Sequence, residues 1–250
     1  MFALLDVGNT SISYTMTQNA KIRGLKTLPY SDIPKIIKKI ASSGGNSHID
    51  VILSSVVPEI SVLIKKSVKR YKHLKLWVAG SNLPLKIKHK YIDIKQLGID
   101  RQVNIIGTQQ LYGVPALIID FGTAITADFV SGKGVFEGGM IIPGPELAFQ
   151  ALIRRAAKIS SQSRLPKSAA RFLGTSTQAC INSGILEGYG AMTDGLILRF
   201  RHRYGKKFKV IVTGGFSAHL KPFMDTTQID IIDPLLSVKS LFAIFKDFNS

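Results

Sequence analysis

The 250-residue sequence is 45% hydrophobic and 20% charged, which excludes a disordered or low-complexity chain and fits one large domain or two of about 125 residues. A formal net charge of +17 favours anionic partners. The Lys/Arg clusters at 65–75, 86–95 and 199–209, however, carry neither zinc-finger spacing nor an RNP-type aromatic motif, so nucleic acid is not expected as the physiological partner.

The single Cys180 excludes an internal disulfide and a multi-cysteine zinc site, and the histidines are scattered without ligand spacing. Met1-Phe2-Ala3-Leu4-Leu5-Asp6 lacks the basic start of a signal peptide, and no apolar run reaches about 18 residues. A cytoplasmic protein with no membrane partner is expected.

In chain order, residues 2 to 30 read as strands: a hairpin, then a third strand near Ile22 to Leu28. Pro34 to Ala41 reads as a short basic helix closed by a Ser/Gly/Asn loop. Ile49 to Val57 is an apolar run suited to a sheet covered on both faces, and Pro58 opens the helix after it. In that helix Ile60, Leu63, Ile64 and Val68 form the inner stripe while Lys65, Lys66, Lys69 and Arg70 face water. Leu74 to Ala79 adds a strand.

Residues 82 to 96 read as a basic, irregular connection carrying Tyr91, and it leads into a helix from Leu97 to about Leu111. Ile99, Val103 and Ile106 supply the inner face, leaving Asp100 in the first turn, a place the helix dipole favours for an acidic residue whatever its function. The second half begins with the hairpin Ile118 to Val130. Phe136 to Pro145 places glycines where backbone must come close to something, a helix starts near Pro145, and the basic residues Arg154, Arg155, Lys158 and Arg164 follow. A helix from about Gln178 to Arg203 contains Gly184, Gly188, Gly190 and Gly195, a spacing that marks close helix packing. The strand Phe208 to Val212 ends in Thr213-Gly214-Gly215, and Ile229 to Ile232 precedes a last helix from about Leu235.

Two stretches repeat each other. Leu4-Leu5-Asp6-Val7-Gly8-Asn9-Thr10 and Ile118-Ile119-Asp120-Phe121-Gly122-Thr123 are both apolar strands that carry an aspartate into a Gly-[Asn/Thr] turn, roughly half a chain apart. The glycine allows close approach of a ligand, and the turn offers N–H and hydroxyl donors to phosphate oxygens. An aspartate beside a phosphate makes sense only with a cation or an attacking group between them. There is no G-x-x-x-x-G-K-[ST] P-loop, no G-x-G-x-x-G between strand and helix, and no G-x-S-x-G elbow.

Paired acidic glycine hairpins followed by Thr213-Gly214-Gly215 resemble the actin-like ATPase and sugar-kinase superfamily. Asp6-Val7-Gly8-Asn9-Thr10, Ser54 to Pro58, Gly98-Ile99-Asp100-Arg101, Asp120 to Ala124, Gly138 to Gly144, Thr213 to Gly215 and Ile232-Asp233-Pro234 stand in the order found in type III pantothenate kinases, a resemblance covering nearly the whole chain.

The resemblance implies an α/β protein of two actin-like (ribonuclease H-like) halves, 1–114 and 115–250, with ATP in an interdomain cleft. It implies ATP-dependent phosphorylation of pantothenate to 4′-phosphopantothenate, the first step towards coenzyme A, by a homodimer that uses Mg²⁺ with ATP and a monovalent cation, K⁺ or NH₄⁺. By motif position, Asp100 is the expected general base, and Tyr91, Gly98, Ile99, Asp100, Arg101 and Thr177 the expected substrate contacts. Asp6, Val7, Gly8, Asn9, Thr10, Ser11, Ile12, Ser13 and Thr123 are the expected ATP contacts, and Asp120 the metal ligand.

Three places depart from the family pattern. Tyr91-Ile92-Asp93-Ile94 stands where the family has Y-x-N-P, Ser13 where many relatives carry a basic residue, and Ser240 where a glycine is frequent. Alternatives of other kinds are a kinase for a different small hydroxylated substrate and a non-catalytic regulator. Retention of Asp6, Asp100 and Asp120 argues against the latter.

Overall fold

The structure, a computed structural model, describes residues 1–18, 21, 22, 24–45, 47–155, 165 and 171–250. Lys158 and Arg164 lie outside the described residues. The chain divides into two compact units. One comprises Met1–Val114, Lys133–Gly138 and Leu235–Ser250, the other Pro115–Gly132 and Gly139–Pro234.

The first unit is built on a sheet of β1 (Phe2–Val7), β2 (Ile12–Thr17), β3 (Lys26–Leu28), β4 (Ile49–Ser55) and β5 (Leu74–Val78), in the order β3-β2-β1-β4-β5. β1, β4 and β5 are parallel, while β2 returns antiparallel from β1 and pairs β3. Alternation along β1 and β4 decides the core. Ala3, Leu5, Val7, Val51 and Leu53 pack with Ile33, Ile36, Ile37 and Ile40 of α1 (Ile33–Ser43) and Ile64 and Val68 of α2 (Pro58–Val68). Leu4 and Ile52 pack instead with Val103 of α3 (Ile99–Leu111) and with Val238, Leu241 and Phe245 of α7 (Leu236–Phe248). Each such side chain contributes about 1.5–3 kcal/mol when fully buried, so both faces of the sheet are energetically committed. The C-terminal helix belongs to the first unit because its apolar stripe fills this second face.

The second sheet holds β7 (Ala116–Phe121), β8 (Ala124–Val130), β9 (Val135–Pro143, whose residues up to Gly138 belong to the first unit), β10 (Lys209–Thr213) and β11 (Ile231–Ile232), and these five run in the order β11-β10-β7-β8-β9. Read from the third strand, this is the order of the first unit: β9-β8-β7-β10-β11 beside β3-β2-β1-β4-β5. The hairpin is again antiparallel, and the two later strands again join in parallel. Leu117, Ile119, Phe121 and Val212 pack with Leu186, Ile197 and Phe200 of α5 (Thr177–Tyr204) and with Leu220 of α6 (Ser217–Leu220). α4 (Pro145–Arg155) buries Phe149 and Ile153. No helix among the described residues is long and apolar enough to cross a membrane.

Several expectations change. The third strand begins at Lys26. Leu63 is exposed and Ser67 takes its place in the buried stripe of α2, because the helix turns a narrower face to the sheet than the apolar pattern allowed. α3 is buried more widely than its apolar stripe, with Arg101, Gln102, Asn104 and Thr108 all inside. The segment at 82–96 contains the two-residue strand β6 (Lys88–His89), paired with Val135 and Phe136 of β9. β9 continues through Gly138-Gly139, with Gly138 at φ +134°. In α5 only Gly190 lies against another element, the carbonyl of Phe223; Gly184, Gly188 and Gly195 face open space.

Candidate active site

In the first unit the alternation that sends Leu4 towards α3 and α7 sends Asp6 the same way. The strand register sets it beside Ser13 of β2 and Ser54 of β4. Its carboxyl group is pushed up from 3.8 to about 6. Burial is the largest cause; a hydrogen bond from Ser237 of α7 acts against it, the charge of Asp100 raises it further, and Ser54 lowers it. The Ser54 effect is the smallest of the four, and its buried Oγ makes no hydrogen bond of full geometry. Thus two carboxylates, from the end of β1 and the start of α3, converge within electrostatic reach.

The turn after Asp6 closes with the Gly8 N–H donating to the Ser11 carbonyl at 3.2 Å, and the Tyr30 hydroxyl donates to the Gly8 carbonyl. Nothing fills the space that a side chain at Gly8 would occupy, and Asn9 and Thr10 are exposed. Val7 and Ile12 point into the core, so only their main-chain atoms are left for a ligand. Ser11 is partly exposed, and Ser13 Oγ lies 2.9 Å from Thr27 Oγ1, tying the hairpin to β3.

Gly98 caps α3, and Asp100 curls back so that its Oδ1 accepts from the Arg101 N–H at 2.8 Å. A Cβ at Gly98 would fall 2.5 Å from that oxygen, so glycine is what leaves room for the carboxylate. The Ile99 side chain packs into the core formed with α7 rather than outward. Arg101 is only 6% exposed. Its guanidinium carbon lies over the ring of Tyr91 at 6.0 Å and over that of Phe136 at 5.8 Å, and the two rings stack at 5.7 Å. The altered Tyr91 loop is held by other means: His89 Nδ1 lies 3.1 Å from the Tyr91 carbonyl, Asp93 accepts from the Lys95 N–H, and Lys90 pairs with Glu137 at 2.6 Å.

In the second unit Asp120 occupies the position on β7 that Asp6 has on β1. Its register neighbours are Thr126 of β8 and Thr213 of β10, again two hydroxyl residues. Gly214 has φ +92°, a conformation that favours glycine, and any side chain there would strike Asp120 and the backbone of Phe121. The Thr123 side chain is exposed while its carbonyl accepts from the Gly144 N–H at 3.0 Å, which packs the β7–β8 turn against the end of β9. Thr177 is exposed as the first residue of α5, after the cap Ser176. Tyr91, Gly98, Asp100 and Arg101 thus share one unit, and Thr177, Thr123 and Asp120 the other.

A sequence profile described as type III pantothenate kinase matches residues 2–199. The chain belongs to the type III pantothenate kinase family. Among solved structures, a Baf family protein from Campylobacter jejuni, described as a transcriptional activator, is similar over 99% of this chain and 98% of its own, at TM-score 0.57 and 20% identity. The ethanolamine utilization protein EutJ from Carboxydothermus hydrogenoformans is similar over 97% of this chain and 89% of its own, at TM-score 0.51 and 14% identity. These likenesses speak for the fold alone, an actin-like α/β architecture of two sheets with matching strand orders. The pantothenate kinase family makes the chain a kinase, with ATP and a small substrate as its ligands.

Sequence reasoning placed Ser54 and Thr213 in motifs without giving either a role, and gave no site role to Ser237, Thr126 or Phe136. Ser13, Ser54, Thr126 and Thr213 share a usable signal, since strand pairing of the repeat puts one on each side of either aspartate. Ser237 and Phe136 reach the site from remote elements, and nothing local marks them.

Proposed function

We propose that this kinase transfers the γ-phosphoryl group of ATP to pantothenate, giving 4′-phosphopantothenate. The observation that carries the reading is the convergence of Asp6 and Asp100 at one end of the first unit, next to Arg101 and an open glycine turn. Phosphoryl transfer needs a positioned hydroxyl, a carboxylate within its reach and neutralised phosphate charge.

Asp100 orients the substrate hydroxyl and takes its proton. The in-plane N–H groups of Arg101 suit the pantothenate carboxylate, and the N–H groups and side chains of Gly8 to Ser11 suit phosphate oxygens. Asp6 brings negative charge to the same place. A partly buried carboxyl pushed up by desolvation and by a second carboxylate would suit a hard divalent cation accompanying the phosphates. Mg²⁺ arriving with ATP would supply that charge, with Asp6 as the side chain that would face it. No group of three or more His, Cys, Asp or Glu among the described residues could hold a metal unaided. Asp120, between Thr126 and Thr213, offers an oxygen-only setting suited to K⁺ or NH₄⁺. A homodimer, the family expectation, is part of this proposal.

The test is formation of phosphopantothenate from ATP and pantothenate with magnesium, in potassium and then in sodium buffer. Potassium-dependent product is expected. Absence of product in every buffer overturns the reading.

A further inference from the structure

We propose that Phe136 is a positioning residue for anion recognition, holding the Arg101 guanidinium beside the stacked Tyr91 ring so that Arg101 discriminates a carboxylate-bearing substrate from its neutral analogue. This rests on the proposed pantothenate reading and adds a residue from β9 to it.

Arg101, Tyr91 and Phe136 form a nearly equilateral triangle with sides of 5.7, 5.8 and 6.0 Å. A guanidinium donates hydrogen bonds only in its own plane, whereas aromatic rings attract a cation at their faces. Ring contacts therefore restrain the group at its faces and do not compete with its in-plane hydrogen bonds. Phe136 has the burial to act as a wall, being 0% exposed, and Arg101 at 6% has lost most of its water. Loss of water strengthens each cation–π contact and raises the cost of a wandering charge.

The triangle is also braced from outside. β6 and β9 pair through His89 and Phe136, the Lys90 N–H donates to the Phe136 carbonyl at 2.9 Å, and Lys90 and Glu137 form the 2.6 Å ion pair. Phe136 is thus fixed in a strand while Tyr91 follows the strand paired with it. A loop that lacks the family's asparagine and proline keeps its tyrosine in place by this pairing.

The experiment compares wild type, Phe136→Leu and Phe136→Tyr in the full chain. The substrates are pantothenate and its alcohol analogue, in which a hydroxymethyl group replaces the carboxylate. In Phe136→Leu the ratio of kcat/KM for pantothenate over the alcohol is expected to fall about tenfold, through KM for pantothenate, while Phe136→Tyr restores it. Equal losses on both substrates would mean a merely structural role and overturn the proposal, as would an unchanged ratio. A second readout needs no turnover: the Arg101 Nε–H resonance, assigned by its loss in Arg101→Lys, is expected to be ring-shifted in wild type and in Phe136→Tyr and to lose that shift in Phe136→Leu. If wild type fails to phosphorylate pantothenate, the function falls while this resonance still decides the positioning; the same shift in all three proteins overturns it.

Discussion

Gly98 and Asp100 are matched: the carboxylate Oδ1 occupies the space that a Cβ two residues earlier would need, 2.5 Å away. The backbone at Gly98 has φ −51° and ψ 142°, which any residue can adopt, so the requirement is purely one of room. A glycine in this place protects the position of one functional group rather than the geometry of a turn.

Gly98→Ala is therefore expected to keep the fold and lose turnover. At a helix cap the change costs about 1 kcal/mol of stability. Displacing the carboxylate from the substrate hydroxyl costs on the order of 10² in kcat, towards the 10²–10⁴ expected of Asp100→Asn. Both variants bind ATP normally if Asp100 acts on the hydroxyl. Melting curves, nucleotide titrations and turnover on the same preparations check this, and near-wild-type turnover by Asp100→Asn would leave catalysis to positioning and metal ions.

Stability should depend on pH through Asp6. Its folded-state pKa of about 6 lies above the ordinary 3.8, so the folded chain holds this proton more tightly than the unfolded chain between those values. Stability from this group is present below pH 3.8 and is lost as pH rises through about 6, by at most about 3 kcal/mol. Asp6→Asn removes that loss. It is expected to be more stable than wild type at pH 7.5, to lose the advantage at pH 3.8 and below, and to bind Mg-ATP poorly at either. Urea unfolding of both proteins across this range checks the sign.

The repeat explains how much could be read in advance. Two aspartates entering two glycine turns are visible as text, and the matching strand orders follow from the same duplication. Placement of Asp100 needed only the helix start at Ile99. What the text hides is whatever depends on a face meeting a distant element. Ser237 reaches Asp6 because α7 covers β1, and Phe136 reaches Arg101 because β9 pairs with β6. Leu63 failed as a core residue for the same reason: helical periodicity gives a stripe, and packing decides its width.

Asp120 provides a third expectation. If its carboxylate helps to hold the monovalent cation, Asp120→Asn should shift the potassium activation curve to higher concentration and leave the melting temperature nearly unchanged. The neighbouring threonines retain their hydroxyls, so the site weakens rather than vanishes. A potassium titration identical to that of wild type would remove Asp120 from this role.

The last prediction concerns Ser240, where the family often has glycine. Its Oγ is buried without a hydrogen-bond partner, and a Cβ at Gly107 of α3 would overlap its side chain. One helix must be bare where the two cross, and here it is α3. Gly107→Ala is expected to lose about 1–3 kcal/mol, because neither backbone can give way in a packed core. Ser240→Ala removes an unpaired buried hydroxyl and should be neutral or stabilising by up to about 1 kcal/mol. The decisive measurement is the double variant Gly107→Ala with Ser240→Gly, which clears the overlapping side chain. It should recover much of the loss despite the roughly 1 kcal/mol that glycine costs inside a helix, giving a non-additive cycle. Additive losses would mean that the two residues do not compete for the same space.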